Sequence, residues 1–199
     1  MLELPELTPE AFEILVVREL RKAGLAVSDL RIHRRTSWPE PERGYLLELS
    51  GAVHRPPWHA SVLIACLRRD AAIGPADLTS VRAHVREARV AAGIVFCTAG
   101  FDAAALVAAA EDPLVLLRVV DGRTAFDTSG WGTPGHYPTW LPAYCAQLVE
   151  RDGSGGVRYP LLESRQGDAI VQQLGRDRSS PDASSRRAVA PGDGATERP

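Results

Sequence analysis

The pattern of apolar and polar positions predicts a helix near the start of the chain. Thr8 fits the N-cap position and Pro9 the first helical position. Apolar residues then recur at helical spacing until Gly24, which fits the C-terminal end of the helix. The recurring residues are Phe12, Leu15, Val16, Leu20 and Ala23. One face of this helix must therefore pack against another element.

Short apolar stretches that follow predict strands. "YLLELSGAV" and the stretch from Ser61 to Leu67 flank the sequence "HRPPWH", and so short a connection favours neighbouring antiparallel strands. We therefore expect residues 44–53 and 60–68 to be adjacent in one sheet. The preceding "LAVSDLRIHRR" reads as a short strand with a polar edge, and "TSWPEPERG" as a loop because of its two prolines.

The next segments alternate between helix and strand patterns. A helix begins at Pro75, and "GIVFC" predicts a strand, "DAAALVAAAE" a helix and "LVLLRVV" a last strand, ended by "DGR". The buried side of the Pro75 helix should hold Leu78, Val81, Val85 and Ala88. This order predicts an α/β fold with a mixed central sheet flanked by helices.

Composition divides the chain into three parts. Its 199 residues, 45% hydrophobic, suffice for one main domain, which we place at residues 1–127. Residues 128–174 predict an appendage rich in aromatics, Gly and Pro, and residues 175–199 a disordered tail that lacks apolar content. The appendage should lay its aromatic side chains on the domain or on a partner chain. These side chains are Trp131, Tyr137, Trp140 and Tyr144.

Charge and cysteine content narrow the classes of function. A net charge of -2 neither indicates nor excludes a nucleic-acid binder. Lys22 is the only lysine, so a Walker-type phosphate loop or a Schiff-base enzyme would have to use it. Cys66, Cys97 and Cys145 lack metal-type spacing, and no apolar run approaches the roughly 18 residues of a membrane span. We expect a reduced, cytoplasmic protein without a membrane partner.

Three stretches together resemble the Mrr-type restriction endonucleases, a branch of the PD-(D/E)XK nucleases. They are "LTPEAFEILVVRELRKAGLAV", "IGPADLTSVRAHVREARVAAGIVFCTAGF" and "LVLLRVVDGRTAF", and they span roughly residues 7 to 126. The Phe12-Glu13 pair, the Gly24 exit, the "TAGF" turn and the closing "VVDG" carry the likeness. The resemblance implies a restriction-endonuclease-like mixed sheet flanked by helices.

Metal-assisted cleavage of DNA requires clustered carboxylates to hold Mg²⁺, and a lysine beside them stabilises the developing charge. The resemblance places the first acid of this set at Ser50, and the acid and lysine of the next strand at Ala65 and Leu67. Shifting the register by one residue gives Cys66 and Arg68, which restores a cation but no carboxylate. We therefore predict a catalytically degenerate domain without a metal site or cofactor.

An active enzyme with relocated acids is the alternative, and it would use Mg²⁺. Glu48 shares a strand face with Ser50, and by resemblance Glu13 corresponds to a helix glutamate that contributes to the site in some relatives. These two glutamates are the catalytic candidates in that case. Asp70, Asp77 and Glu87 are further candidates for a migrated ligand. The competing interpretation of these acids is that they are solvated or form salt bridges.

A basic stripe is the candidate nucleic-acid surface. Arg82, Arg86 and Arg89 recur at helical spacing beside the apolar face of their helix. Arg68 and Arg69 extend the stripe, as could the group Arg31, Arg34 and Arg35. Contact with DNA phosphates is the functional interpretation, and an ordinary charged helix face is the competing one.

Two further chemistries are disfavoured. Cys97 ends a strand before a turn, but no histidine is placed as its base, so a structural cysteine is favoured. His54 and His59 flank a Pro-Pro turn and could meet across a hairpin, but a zinc site there is disfavoured. The leading function is DNA binding or protein association in a bacterial defence or DNA-processing system. A third hypothesis is an interaction module that contacts a protein or a second copy through residues 131–144 and does not bind nucleic acid.

Overall fold

The structure is a computed structural model that describes residues 7–37, 44–110, 112–164 and 166–175. The helices are α1 (Pro9–Lys22), α2 (Pro75–Glu87), α3 (Ala103–Ala109), α4 (Gly122–Ser129) and α5 (Gly167–Leu174). The strands are β1 (Ala26–Ser37), β2 (Tyr45–Arg55), β3 (Trp58–Arg68), β4 (Ala92–Cys97), β5 (Leu114–Asp121), β6 (Tyr144–Leu148), β7 (Glu150–Arg151) and β8 (Val157–Arg158).

Six strands form one mixed sheet in the order β1-β2-β3-β4-β5-β6. The β1, β2 and β3 strands are antiparallel, β3, β4 and β5 are parallel, and β6 returns antiparallel to β5. The parallel pairs are connected through α2 and α3, as parallel strands require. The predicted α/β class with a mixed sheet flanked by helices is confirmed.

Alternation along the strands divides the core into two layers. On β3, Ile64 and Cys66 belong to the cluster that receives α1 and α5, whereas Ala65 and Leu67 belong to the cluster under α2 and α3. Successive residues of a strand point to opposite faces, so each face buries its own apolar set. The sheet therefore separates an α1 side from an α2 side, and this separation decides which candidate residues can meet.

The α1 helix forms as predicted and is attached to the sheet through a buried carboxylate. Thr8 caps it by accepting a hydrogen bond from the backbone N–H of Ala11. Glu19 is buried, lies 2.5 Å from Lys22 Nζ, and accepts a hydrogen bond from the Ala146 backbone N–H of β6. The only lysine of the chain is thereby engaged on the α1 side.

The predicted strand pair is confirmed in full, because β2 and β3 pair from Tyr45 opposite Arg68 to Arg55 opposite Trp58. The β1 strand is longer than expected, since the whole of residues 26–37 pairs along β2 with two irregularities. Its polar side chains fit a strand at the edge of the sheet, where most side chains are exposed to solvent. The pattern of apolar and polar residues therefore predicted too short a β1 strand.

Part of the predicted appendage is built into the main sheet. The β6 strand pairs with β5, and Leu162, Ile170 and Leu174 bury side chains in the α1-side core. The aromatic and proline-rich composition of residues 131–143 concealed this short strand. The division into domains stays a prediction, and the predicted tail lies outside the described residues except for Gly175. Within the described residues, no helix is long and apolar enough to cross a membrane.

Candidate functional site

The candidate site lies where β2 and β3 pair on the α2 side of the sheet. Glu48 is directly opposite Ala65, and Ser50 is directly opposite Leu63. Residues that face each other across antiparallel strands share one face, so Glu48, Ser50 and Ala65 point to the same side. Ser50 and Ala65 are thus diagonal neighbours, and the carboxylate level with Ala65 is that of Glu48.

The two positions expected for the acid and the lysine are part of the hydrophobic core. Ala65 is 0% exposed and Leu67 is 5% exposed, and both pack in the apolar cluster under α2 and α3. A lysine or a carboxylate at either position would have to be desolvated among apolar side chains. The strand therefore supplies packing where the catalytic motif would supply charge.

The candidate carboxylate of Glu48 belongs to a buried polar network. Glu48 is fully buried, and its Oε1 lies 2.6 Å from His84 Nδ1 of α2. Its Oε2 faces the Arg34 Nε of β1 at 3.5 Å, without a hydrogen bond. Arg34 also contacts His84 Nε2 at 2.7 Å and Glu87 at 2.8 Å. Four side chains from β1, β2 and α2 thus form one connected group.

The geometry assigns the proton positions in this group. The guanidinium of Arg34 only donates, so His84 Nε2 must accept from it. The proton of the ring is then on Nδ1 and is donated to Glu48. His84 is therefore a neutral bridge, and the positive charge that balances the buried Glu48 carboxylate is that of Arg34.

These residues do not fit a magnesium ion. Mg²⁺ requires several oxygen ligands in octahedral geometry, whereas Glu48 contacts His84 and Arg34 and its neighbours on β3 are apolar. In the described part of the chain, no three His, Cys, Asp or Glu side chains come together in a way that would hold a metal.

The two glutamates proposed for a relocated active site lie on different sides of the sheet. Glu13 belongs to α1, which packs on the side of Cys66, whereas Glu48 faces α2. Asp77 caps α2 by accepting from the backbone N–H of Gly74, and Glu87 pairs with Arg34. Asp70 is exposed beyond the end of β3. Of these acids, only Glu48 and Glu87 belong to one group, and Arg34 lies between them and pairs with both.

The comparison with known families agrees with this architecture. A sequence model of restriction endonucleases, Mrr_cat, matches residues 4–124, which is more than half of the chain. The chain belongs to this restriction endonuclease family. Membership places it in the nuclease-like, DNA-related class of proteins and confirms the resemblance stated above. No curated protein and no solved structure gives a significant match.

Two arginines of the basic stripe on this Mrr_cat domain have structural partners. Arg82 of α2 pairs with the buried Asp112 and donates to the Ala108 carbonyl, which ties α2 to α3. Arg69 donates to Asp77 at 2.7 Å, and its backbone exchanges hydrogen bonds with Thr98. Both guanidinium groups thereby hold the ends of secondary-structure elements together.

The other members of the stripe differ from these two. Arg86 lies on the outer face of α2, and Arg89 follows the helix with φ 54°. Both side chains are exposed, as is that of Arg31, which lies opposite Ser50 on β1. Arg68 is half-buried at the end of β3. Arg86, Arg89 and Arg31 are thus the arginines best placed to reach a ligand on the α2 side.

The sequence did not predict that Arg34 and His84 contact Glu48. The sequence pattern assigns Arg34 only to the extension of the basic stripe and assigns no role to His84. A signal was present, because His84 follows Val81 by three residues and precedes Ala88 by four, which puts it beside the buried face of α2. The pairing of Arg34 with Glu48 depended on the β1 register.

The buried thiols predict a simple result for cysteine reactivity. Burial raises the pKa of Cys97 to about 12 and raises the pKa of Cys66 and Cys145. The reactive thiolate form is therefore scarce at pH 8. In the native protein, we expect the thiols to react with Ellman's reagent no faster than unfolding exposes them. In urea, all three thiols should react. Rapid modification of Cys97 in the native protein would restore it as a candidate nucleophile.

Proposed function

We propose that this protein is a DNA-binding member of the Mrr_cat family that has lost metal-dependent cleavage. The observation that carries the proposal is the use of Glu48. Its carboxylate is buried, accepts a hydrogen bond from His84 and is balanced by Arg34, while Ala65 and Leu67 are core residues. This carboxylate is enclosed by His84, Arg34 and apolar residues, so it does not present the several oxygen ligands that a hydrated cation needs.

DNA is the ligand that the family and the exposed arginines support. Arg86 and Arg89, with Arg31 on the neighbouring sheet edge, present cations on the α2 side. Phosphate contacts of this kind supply affinity without sequence readout. The domain would then serve as a DNA-binding part of a bacterial defence or DNA-processing system in the cytoplasm.

A cleavage assay tests the loss of activity. The purified protein should leave supercoiled plasmid intact in Mg²⁺ or Mn²⁺, whether the DNA is methylated or not, because the residues that the structure describes include no carboxylate cluster to hold the ion. Agarose gels resolve nicked and linear products. Glu48→Gln, purified in parallel, is the matched control for contaminating nucleases. Metal-dependent nicking by the parent protein that Glu48→Gln or Glu13→Gln abolishes would instead support the endonuclease with relocated acids.

A second candidate function is protein association through the aromatic segment 131–144. Trp131 and Trp140 are 45% and 67% exposed, with ring centroids 6.4 Å apart. Phe126 supports Trp131 and Tyr137 from beneath in edge-to-face contacts. Exposed tryptophans in mutual contact, one of which packs on a buried ring, are typical of a protein contact. If the protein does not bind DNA, Trp140→Ala should weaken capture of its partner.

A further inference from the structure

The outer face of α1 carries an apolar patch that the fold does not cover. Ile14 is 71% exposed and Val17 is half-buried. The two side chains form a shallow groove bordered by Glu13, Arg18 and Arg21. The inner face of α1 is fully used by the core, so the patch is additional to what folding requires.

Charges flank this patch in a symmetric arrangement. Glu13 precedes Val17 by four residues and Arg21 follows it by four, which is about 6 Å along the helix in each direction. Within the described part of the chain, neither side chain has an ion-pair partner. The neighbouring charges are used internally, since Arg18 pairs with Glu19 and Glu10 pairs with Arg35. Along α1, this face thus carries an acidic residue, then the apolar patch, then a basic residue.

We propose that a second copy of this chain docks on this face, with the two α1 helices antiparallel about a two-fold axis at Val17. The axis brings Glu13 to the partner subunit's Arg21, and the same contact occurs again by symmetry. Ile14 then packs against the partner subunit's Val17 and the aliphatic stem of the partner subunit's Arg18.

Charge complementarity favours a copy over another occupant. An acidic or a basic partner would match only one end of the face, whereas an antiparallel copy satisfies both ends at once. The docking also leaves the α2 side open, because α1 covers the opposite face of the sheet. The dimer would therefore carry two separate surfaces bearing Arg86 and Arg89.

Charge reversal tests the interface by sedimentation equilibrium on the full chain. We expect Glu13→Arg and Arg21→Glu each to raise the dissociation constant of the dimer about ten-fold or more, because each places two like-charged pairs in contact. An equimolar mixture of the two variants should recover the parent affinity, since a mixed dimer restores both opposite-charge contacts. Far-UV circular dichroism checks that both variants keep the fold.

Two control variants distinguish other interfaces. Val107→Glu changes an exposed residue of α3, and Trp140→Ala removes an aromatic of the segment 131–144; both should leave the dimer affinity unchanged. Loss of the dimer in Trp140→Ala with none in Glu13→Arg would overturn the proposal. A mixture of the charge variants that stays as monomeric as its components would also overturn it.

A cysteine placed on the axis gives an independent measurement. Val17→Cys should form a disulfide-linked dimer under mild oxidation, whereas the parent chain should not, because Cys66, Cys97 and Cys145 are buried. A cysteine at Val107 is the matched exposed control and should give little cross-linking. A parent protein that is monomeric at all concentrations, together with uncross-linked Val17→Cys, would refute the α1 dimer.

Discussion

The double variant Arg86→Glu/Arg89→Glu is expected to bind duplex DNA about a hundred-fold more weakly than the parent protein near physiological salt. The two arginines are exposed on the α2 side, and each phosphate contact releases condensed counterions from the duplex. The slope of log affinity against log salt should therefore fall by about two. Fluorescence anisotropy with a labelled duplex at several salt concentrations measures both quantities.

A charge-matched variant tests whether the effect is specific to the arginine stripe. Arg123→Glu/Arg151→Glu changes the net charge equally at exposed positions away from α2 and should alter the salt slope little. Arg82 is a different control, since its loss breaks the contacts with Asp112 and Ala108 and should lower stability first. Affinity and slope that survive in Arg86→Glu/Arg89→Glu would remove the stripe from the DNA interface.

The sequence was sufficient to predict the helices and strands from α1 to β5, because their apolar residues recur at helix or strand spacing. The helical spacing of Phe12, Leu15 and Val16 and the apolar runs of β3 and β4 specify elements that must be buried on one or both faces. The short β2–β3 connection specified their pairing. The elements after β5 were not predicted; β6, for example, has only five residues after a proline-rich segment, and these carry little periodic signal.

The sequence predicted which catalytic groups are missing from the candidate site, but it did not predict the polar network around Glu48. The absence of an acid and a lysine at Ala65 and Leu67 follows from residue types alone. To predict that Arg34 balances the charge of Glu48, one must know how β1 is aligned with β2. That alignment contains irregularities between Ser28 and Arg31 and between Ile32 and Arg34. A sequence has no local marker for such bulges, so the partner of Glu48 was identified only in three dimensions.

Arg34→Met is expected to destabilise the protein by about 3 kcal/mol at pH 7. Removing one partner of a buried ion pair leaves the other charge uncompensated, at a typical cost of roughly 3–5 kcal/mol. Glu48 is fully buried, whereas the Arg34 side chain is 33% exposed, which favours the lower end of that range. The free energy of unfolding from urea titrations, with an unchanged m-value, measures the effect.

Glu48→Gln is the informative partner variant because it removes the charge and keeps the shape. The amide oxygen can still accept from His84 Nδ1, so we expect a loss of only about 1–2 kcal/mol. Arg34→Met should then cost less in the Glu48→Gln background, with a coupling free energy of about 1–2 kcal/mol. Additive losses would mean that Arg34 stabilises the fold without neutralising Glu48. A positive coupling would mean that Arg34 supplies the charge that compensates the buried Glu48 carboxylate.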